Sequence, residues 1–234
     1  KERTMNFFVK EDAFYEWLTP VYLLVGSIAF GVVFYRTWKS SPLKDNLLQK
    51  LALLGLTGVF LMAAFEEISW GQRIVNFATP AFVEDVNAQR EFTLHNLKFF
   101  QGDDAVLPLD FDQLAAIFAL TLGLVIPVAC AAIPRLGAFV RPIFPVLPIQ
   151  FSALFAFNYG LQKVAVRFLR AYPDLYDNTT RGVGAAVHEV REHNYALLLM
   201  IASIFFMILQ LAAMKAQSRE ASIQNEEQRL ASTS

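Results

Sequence analysis

From Leu114 to Ile133 the chain carries no charged residue, and the same is true from Tyr195 to Met214. As an α-helix, a run of about 20 residues spans the ~30 Å hydrocarbon core of a bilayer. Within hydrocarbon every backbone N–H and C=O must be paired inside the segment, and a helix does this without neighbours. Two such runs therefore restrict the chain to an all-α, polytopic membrane-spanning bundle.

Three more segments have the same length and character. One runs from Leu18 to Tyr35 and is framed by Trp17 and Trp38, the aromatic type that settles at the membrane–water boundary. A second runs from Leu51 to Ile68 and closes on the pair Glu66 and Glu67. The last, Ile143 to Leu161, is uncharged but is entered through Pro142, Pro145 and Pro148. Proline lacks an N–H and suits a helix start or a kinked entry better than a continuous ladder. The expectation is about five spans, with short amphipathic helices in the loops on one face. Residues 1–215 then form a single domain, followed by a polar tail over 216–234. Because Lys1 to Thr4 precede Met5 and no cleavable signal pattern follows, we expect the native start at Met5 after a short leader. The first apolar segment is expected to be kept as a span.

Composition agrees. The 234 residues are 55% hydrophobic and only 18% charged, with 22 Phe, and the mean hydropathy is +0.39. A net charge of −1 and the lack of a basic stripe exclude nucleic acid as a partner, which leaves the lipid bilayer and other membrane subunits. The single Cys130 excludes an intrachain disulfide. Asn178-Thr179-Thr180 matches a glycosylation sequon, which matters only in a eukaryotic secretory pathway.

Short loops rich in Lys and Arg stay on the cytoplasmic side. Arg36, Lys39, Lys44 and Lys50 lie between the first two spans, and Arg135 and Arg141 between the third and fourth. This puts the N-terminus outside and the C-terminus in the cytoplasm. Lys163, Arg167 and Arg170 oppose that bias, but their spacing places them on one stripe of a helix continuing the fourth span. An odd number of crossings also brings the N-terminal segment, the 69–113 loop and the 162–194 loop to one side. All three histidines, His95, His188 and His193, then share that side with most of the acids outside the spans.

Three stretches there carry chemistry. The first is Glu66-Glu67-Ile68-Ser69-Trp70-Gly71-Gln72-Arg73. An acid at the interface is unfavourable unless paired, so Glu66, Glu67, Ser69 and Arg73 are candidate catalytic residues, with Arg73 placed by helical spacing to reach Glu66. The second holds Glu91 and His95, one turn apart if helical; the third holds His188, Glu189, Glu192 and His193. Two Glu-x-x-x-His pairs with a further acid are a candidate metal set, of a type suited to zinc, iron or manganese. The competing reading is an ionic network in which Arg73, Lys163, Arg167 and Arg191 neutralise the acids. Asn158, Tyr159 and Gln162 make the outer end of the fourth span polar and suited to line the same cavity.

The string Glu66 to Arg73, followed by Asn87-x-Gln89-x-Glu91 and Leu94-His95-Asn96, resembles an uncharacterised group of bacterial polytopic membrane proteins marked by EEISWGQR and LHN. Phe8 to Asp12 and Glu16 to Thr19 fit the same group. The resemblance implies a bacterial inner-membrane location and no particular activity. A looser likeness is to ceramidase- and progestin-receptor-like membrane hydrolases, which hold zinc by histidines near one face. In that likeness Glu66 and Ser69 correspond to an acid-and-serine element, although His188 and His193 are five residues apart rather than four.

With no complete catalytic set, the leading expectation is a subunit or accessory factor of a larger membrane assembly. The alternative is a metal-dependent hydrolase or oxidase acting on a lipid or quinone, with Glu66 or Glu67 as base and the histidines as ligands. Transport or proton transfer ranks third, because no acid marks mid-membrane.

Overall fold

In the computed structural model, residues 14–41, 45–87, 90–94, 96–99, 111–171 and 182–232 are described, with side chains from Trp17 onward except at 112, 169, 170 and 182–189. Among them the chain is helical, with loops and no strand. Helix α1 covers Phe14–Ser40 and α2 Leu47–Glu67; two single turns follow, α3 (Gln72–Val75) and α4 (Ala81–Glu84). Helix α5 (Phe111–Leu120) passes through a π-helical turn, Thr121–Val125, into α6 (Ile126–Ala132). Helix α7 is Pro134–Val140, α8 Ser152–Ala171 and α9 Gly182–Ala231.

Among the described residues, four segments are long and apolar enough to cross a membrane: Trp17–Ser40, Leu47–Glu67, Gln113–Ala132 and Val190–Ala231. Trp17 and Trp38 are both half-exposed on α1 and lie about 32 Å apart along its axis, the thickness of the hydrocarbon core.

The predicted fourth span, Ile143–Leu161, is not one helix. Helix α6 ends at Ala132 and α7 folds back on it so closely that a Cβ on Gly137 would sit 2.4 Å from the Cys130 carbonyl oxygen. Turns and extended backbone then carry the chain past Pro142, Pro145 and Pro148, and helix resumes only at Ile149 as a short 3-10 turn leading into Ser152. The prolines explain the break, since three missing N–H groups at this spacing cannot sustain a ladder. Leu147, 1% exposed, fills the core beside the irregular stretch. The break is anchored by Ser152, whose Oγ donates to the Gly123 carbonyl at 2.9 Å inside the π-helical turn. A π turn displaces a carbonyl from its regular ladder, and here that carbonyl takes a side-chain donor from another helix.

Helix direction follows from pairings. Helices α1 and α2 are antiparallel, with Ser27 Oγ donating to Thr57 O at 2.9 Å and Lys50 Nζ to Ser41 O at 3.1 Å. Helices α1 and α9 are parallel, since Tyr22 meets His193 and Phe30 meets Phe206. Helix α8 runs against α9: Phe151 meets Phe205, and Asn194 Nδ2 donates to Asn158 Oδ1 at 3.1 Å. The starts of α1 and α9 and the ends of α2 and α8 therefore share one end of the bundle. Helix α8, following the irregular stretch, returns the chain to that end.

Between membrane helices lipid offers no hydrophobic contrast, so close packing does the holding. Phe30, Phe60, Phe155 and Phe206 make the centre, and glycines admit their rings. A Cβ on Gly26 would lie 2.7 Å from the Phe60 ring, and one on Gly123 2.5 Å from Phe155. Lys50, 1% exposed, is buried at the opposite end, where its ammonium caps the exit of α1 and faces the Trp38 ring at 5.9 Å. The C-terminal stretch, expected as a polar tail, continues as helix to Ala231.

Candidate functional site

The shared end is closed by residues 66–87, 90–94 and 96–98, which form a polar cap around the end of α2. Helix α2 stops because three successive residues turn left-handed: Ser69 (φ 48°), Trp70 (φ 53°) and Gly71 (φ 88°). Only Gly71 adopts this freely; Ser69 and Trp70 are each disfavoured by about 1 kcal/mol or more and persist only where surroundings hold them.

Their side chains show what holds them. Glu66, 4% exposed, accepts the Trp70 indole N–H on Oε1 and the Leu94 backbone N–H on Oε2, the latter at 2.7 Å. Trp70 also stacks on Phe65 with ring centroids 5.7 Å apart. Ser69, fully buried, donates to Glu91 Oε2 at 3.0 Å. Gln72 donates to Phe77 O and Thr79 Oγ1, and its Oε1 accepts the Phe92 N–H at 2.8 Å. The second half of the cap is ordered by Asn87, 1% exposed, which donates to Thr93 O at 2.9 Å and accepts from the Glu91 N–H at 3.3 Å. An isolated antiparallel bridge joins Asn87 to Leu97. The two sequence motifs are thus two halves of one hydrogen-bonded unit.

One pairing is added here and one expectation is corrected. Arg73 forms an ion pair with Glu91, NH2 lying 3.3 Å from Oε2, a partner 18 residues away that helical spacing does not indicate. Residues 91–94 are turns rather than helix, so Glu91 has no helical one-turn relation to position 95. His95 itself lies outside the described residues. Trp70, Gln72, Asn87 and Thr93 carry no role that spacing alone reveals; only Gly71, a glycine inside a polar string, hints at a turn.

Beside the cap lies a polar seam between α1, α8 and α9. His193, 6% exposed, has its ring 5.1 Å from Tyr22. Tyr195 is buried against Phe155, and Asn158 accepts from Asn194. The Gln162 amide lies beside the Tyr195 hydroxyl without the alignment of a hydrogen bond. Asn158 Nδ2 is a further buried donor with no protein acceptor among the described residues. Arg191 pairs with Glu192 at 3.5 Å. Asn158 and Gln162 lie in this seam together with Asn194 and Tyr195, whereas Tyr159 is 43% exposed with the Lys163 ammonium 5.2 Å from its ring centroid.

Of the metal candidates, Glu91 belongs to the cap, while Glu192 and His193 belong to the seam. His188 and Glu189 lie in α9, and their side chains are outside the described set. Among the described residues no three His, Cys, Asp or Glu side chains gather closely enough to share an ion. Glu67 ends α2 beside Glu66.

Compared with known proteins, the chain matches no protein-family model, no curated protein and no solved structure.

Proposed function

We propose that this integral membrane protein is a subunit or accessory factor of a larger membrane assembly in a bacterial inner membrane, with its N-terminus outside and its C-terminus cytoplasmic. The observation that carries this reading is the far end of α9. The helix continues to Ala231, and every residue from Lys215 to Ser232 is exposed. Over residues 215–231 it projects about 25 Å beyond the apolar run.

A helix without tertiary support is marginal in water, so a projecting one needs a surface to lie against. Leu209, Ala216, Ile223 and Leu230 recur every seventh residue along it, which is the spacing of a helix–helix seam. Ile223 and Leu230 are 56% and 66% exposed, and the residues between them are polar: Gln224, Asn225, Glu226, Glu227, Gln228 and Arg229. The polar cap supports the same reading. Both Glu66 oxygens accept hydrogen bonds and Glu91 accepts from Ser69 and Arg73, so these acids act as structural acceptors.

The test is thiol cross-linking in native membranes, with Ile223→Cys in a Cys130→Ser background. A discrete adduct containing a second, different polypeptide is expected. An adduct at twice the chain's own mass would replace assembly with other subunits by self-association, and the lack of any adduct would overturn the reading.

A further inference from the structure

We propose that the groove between α1 and α2 binds one anionic phospholipid, with its headgroup at Arg36 and Lys39 and an acyl chain running inward to Leu24. The groove is open along its length, has a volume of about 520 Å³ and is lined by residues that include Leu24, Ile28, Gly31, Tyr35, Arg36 and Leu61. The two hydroxyls of its floor are both committed to backbone carbonyls: Ser27 Oγ donates to Thr57 O at 2.9 Å and Thr57 Oγ1 to Leu53 O at 2.8 Å. The groove exists because Gly31 carries no side chain; the nearest atom to a Cβ there would be Thr57 Cγ2 at 3.5 Å. Such a trough suits hydrocarbon and offers nothing to a polar chain.

Length and charge select the occupant. From Leu24 to Arg36 the helix rises about 18 Å, close to the ~15 Å depth of one leaflet's hydrocarbon. An acyl chain with its end at Leu24 would therefore bring its phosphate to Arg36. Lys39 Nζ is held over the Tyr35 ring, 4.8 Å from its centroid, and Tyr35 lines the groove, so a second cation stands at the mouth. From Arg36 to Lys50 the sequence holds four basic residues, Arg36, Lys39, Lys44 and Lys50, against the single acid Asp45, so positive charge is in excess at this end. A cation near an anionic headgroup contributes about 1 kcal/mol, or on the order of fivefold in association per charge.

The experiment places the full chain in phosphatidylcholine nanodiscs containing trace spin-labelled phosphatidylglycerol or spin-labelled phosphatidylcholine, and reads the immobilised fraction. Several-fold stronger immobilisation of phosphatidylglycerol is expected. It should fall to parity in the Arg36→Gln/Lys39→Gln variant but persist in Arg135→Gln/Arg141→Gln, which removes charge elsewhere from the same basic loops. Gly31→Leu, filling the trough, should reduce immobilisation of both lipids, whereas Gly31→Ala should not. Equal immobilisation of the two lipids, or a preference insensitive to Arg36 and Lys39, would overturn the proposal. So would dimer cross-linking through Val32→Cys, which would mean that a second copy occupies the groove.

Discussion

The Trp70 indole donates its N–H to the Glu66 carboxylate four residues earlier, across a backbone that has turned left-handed between them. This contact and the Leu94 N–H fix both oxygens of an acid buried to 4% exposure at the end of a membrane helix. Replacing Glu66 by Ala strands both donors, and leaving buried donors unpaired costs roughly 1–3 kcal/mol each. The expected result for Glu66→Ala is a large fall in thermal unfolding temperature in detergent and rapid proteolysis within residues 72–98. Glu66→Gln keeps an acceptor for one donor and should lose about half as much. An unchanged melting temperature in both variants would remove the structural role given to Glu66.

Gly71 sits at φ 88° with nothing within 4 Å of the place a Cβ would take, so Gly71→Ala tests backbone conformation alone. The expected loss is about 1 kcal/mol, from forcing an L-residue into the left-handed region. Gly123→Ala is the contrasting case, since its Cβ would meet the Phe155 ring at 2.5 Å. Overpacking of this kind costs about 1–3 kcal/mol. Pairing it with Phe155→Leu should recover part of that loss, so the double variant should be more stable than the two single losses summed. Strict additivity in a double-mutant cycle would show that the ring and the glycine do not act together.

Arg73 and Glu91 form an ion pair with side chains 28% and 31% exposed, so solvent screens much of their attraction. Breaking it through Arg73→Gln should cost no more than about 1 kcal/mol. Glu91→Ala should cost more, because it also leaves Ser69 Oγ, in a fully buried residue, without its acceptor. Denaturation midpoints of the two variants and of Ser69→Ala measure the difference. Equal losses for Arg73→Gln and Glu91→Ala would exclude a separate contribution from Ser69.

These variants mark where the sequence is legible. Uncharged runs at bilayer length identify four crossing helices directly, and three prolines before Ile149 announce the break in a fifth segment. The polar positions Asn158 and Gln162 stand out because polar groups are rare in such runs. The cap reads poorly for a physical reason. Ser69 and Trp70 adopt a conformation that neither prefers, imposed by contacts with Glu91 and Glu66. One of those partners is 22 residues away. Helical spacing likewise says nothing of the contact between Arg73 and Glu91, 18 residues apart.

The broken crossing gives the sharpest test of the architecture. Four continuous apolar helices alone would place the 68–99 segment and the start of α9 on opposite sides of a membrane. The pairings of α8 with α9 and of α9 with α1 place them on the same side, which requires residues 143–171 to complete a crossing although only part of that stretch is helix. Lys98→Cys and Val190→Cys, both at exposed positions and each in a Cys130→Ser background, should then react with a membrane-impermeant maleimide from one side of sealed vesicles. Arg135→Cys, beyond the end of α6, should react only after the vesicles are opened. Labelling of Val190→Cys in the same class as Arg135→Cys would mean that residues 143–171 turn back without crossing. The seam joining Asn158 to Asn194 could not then form.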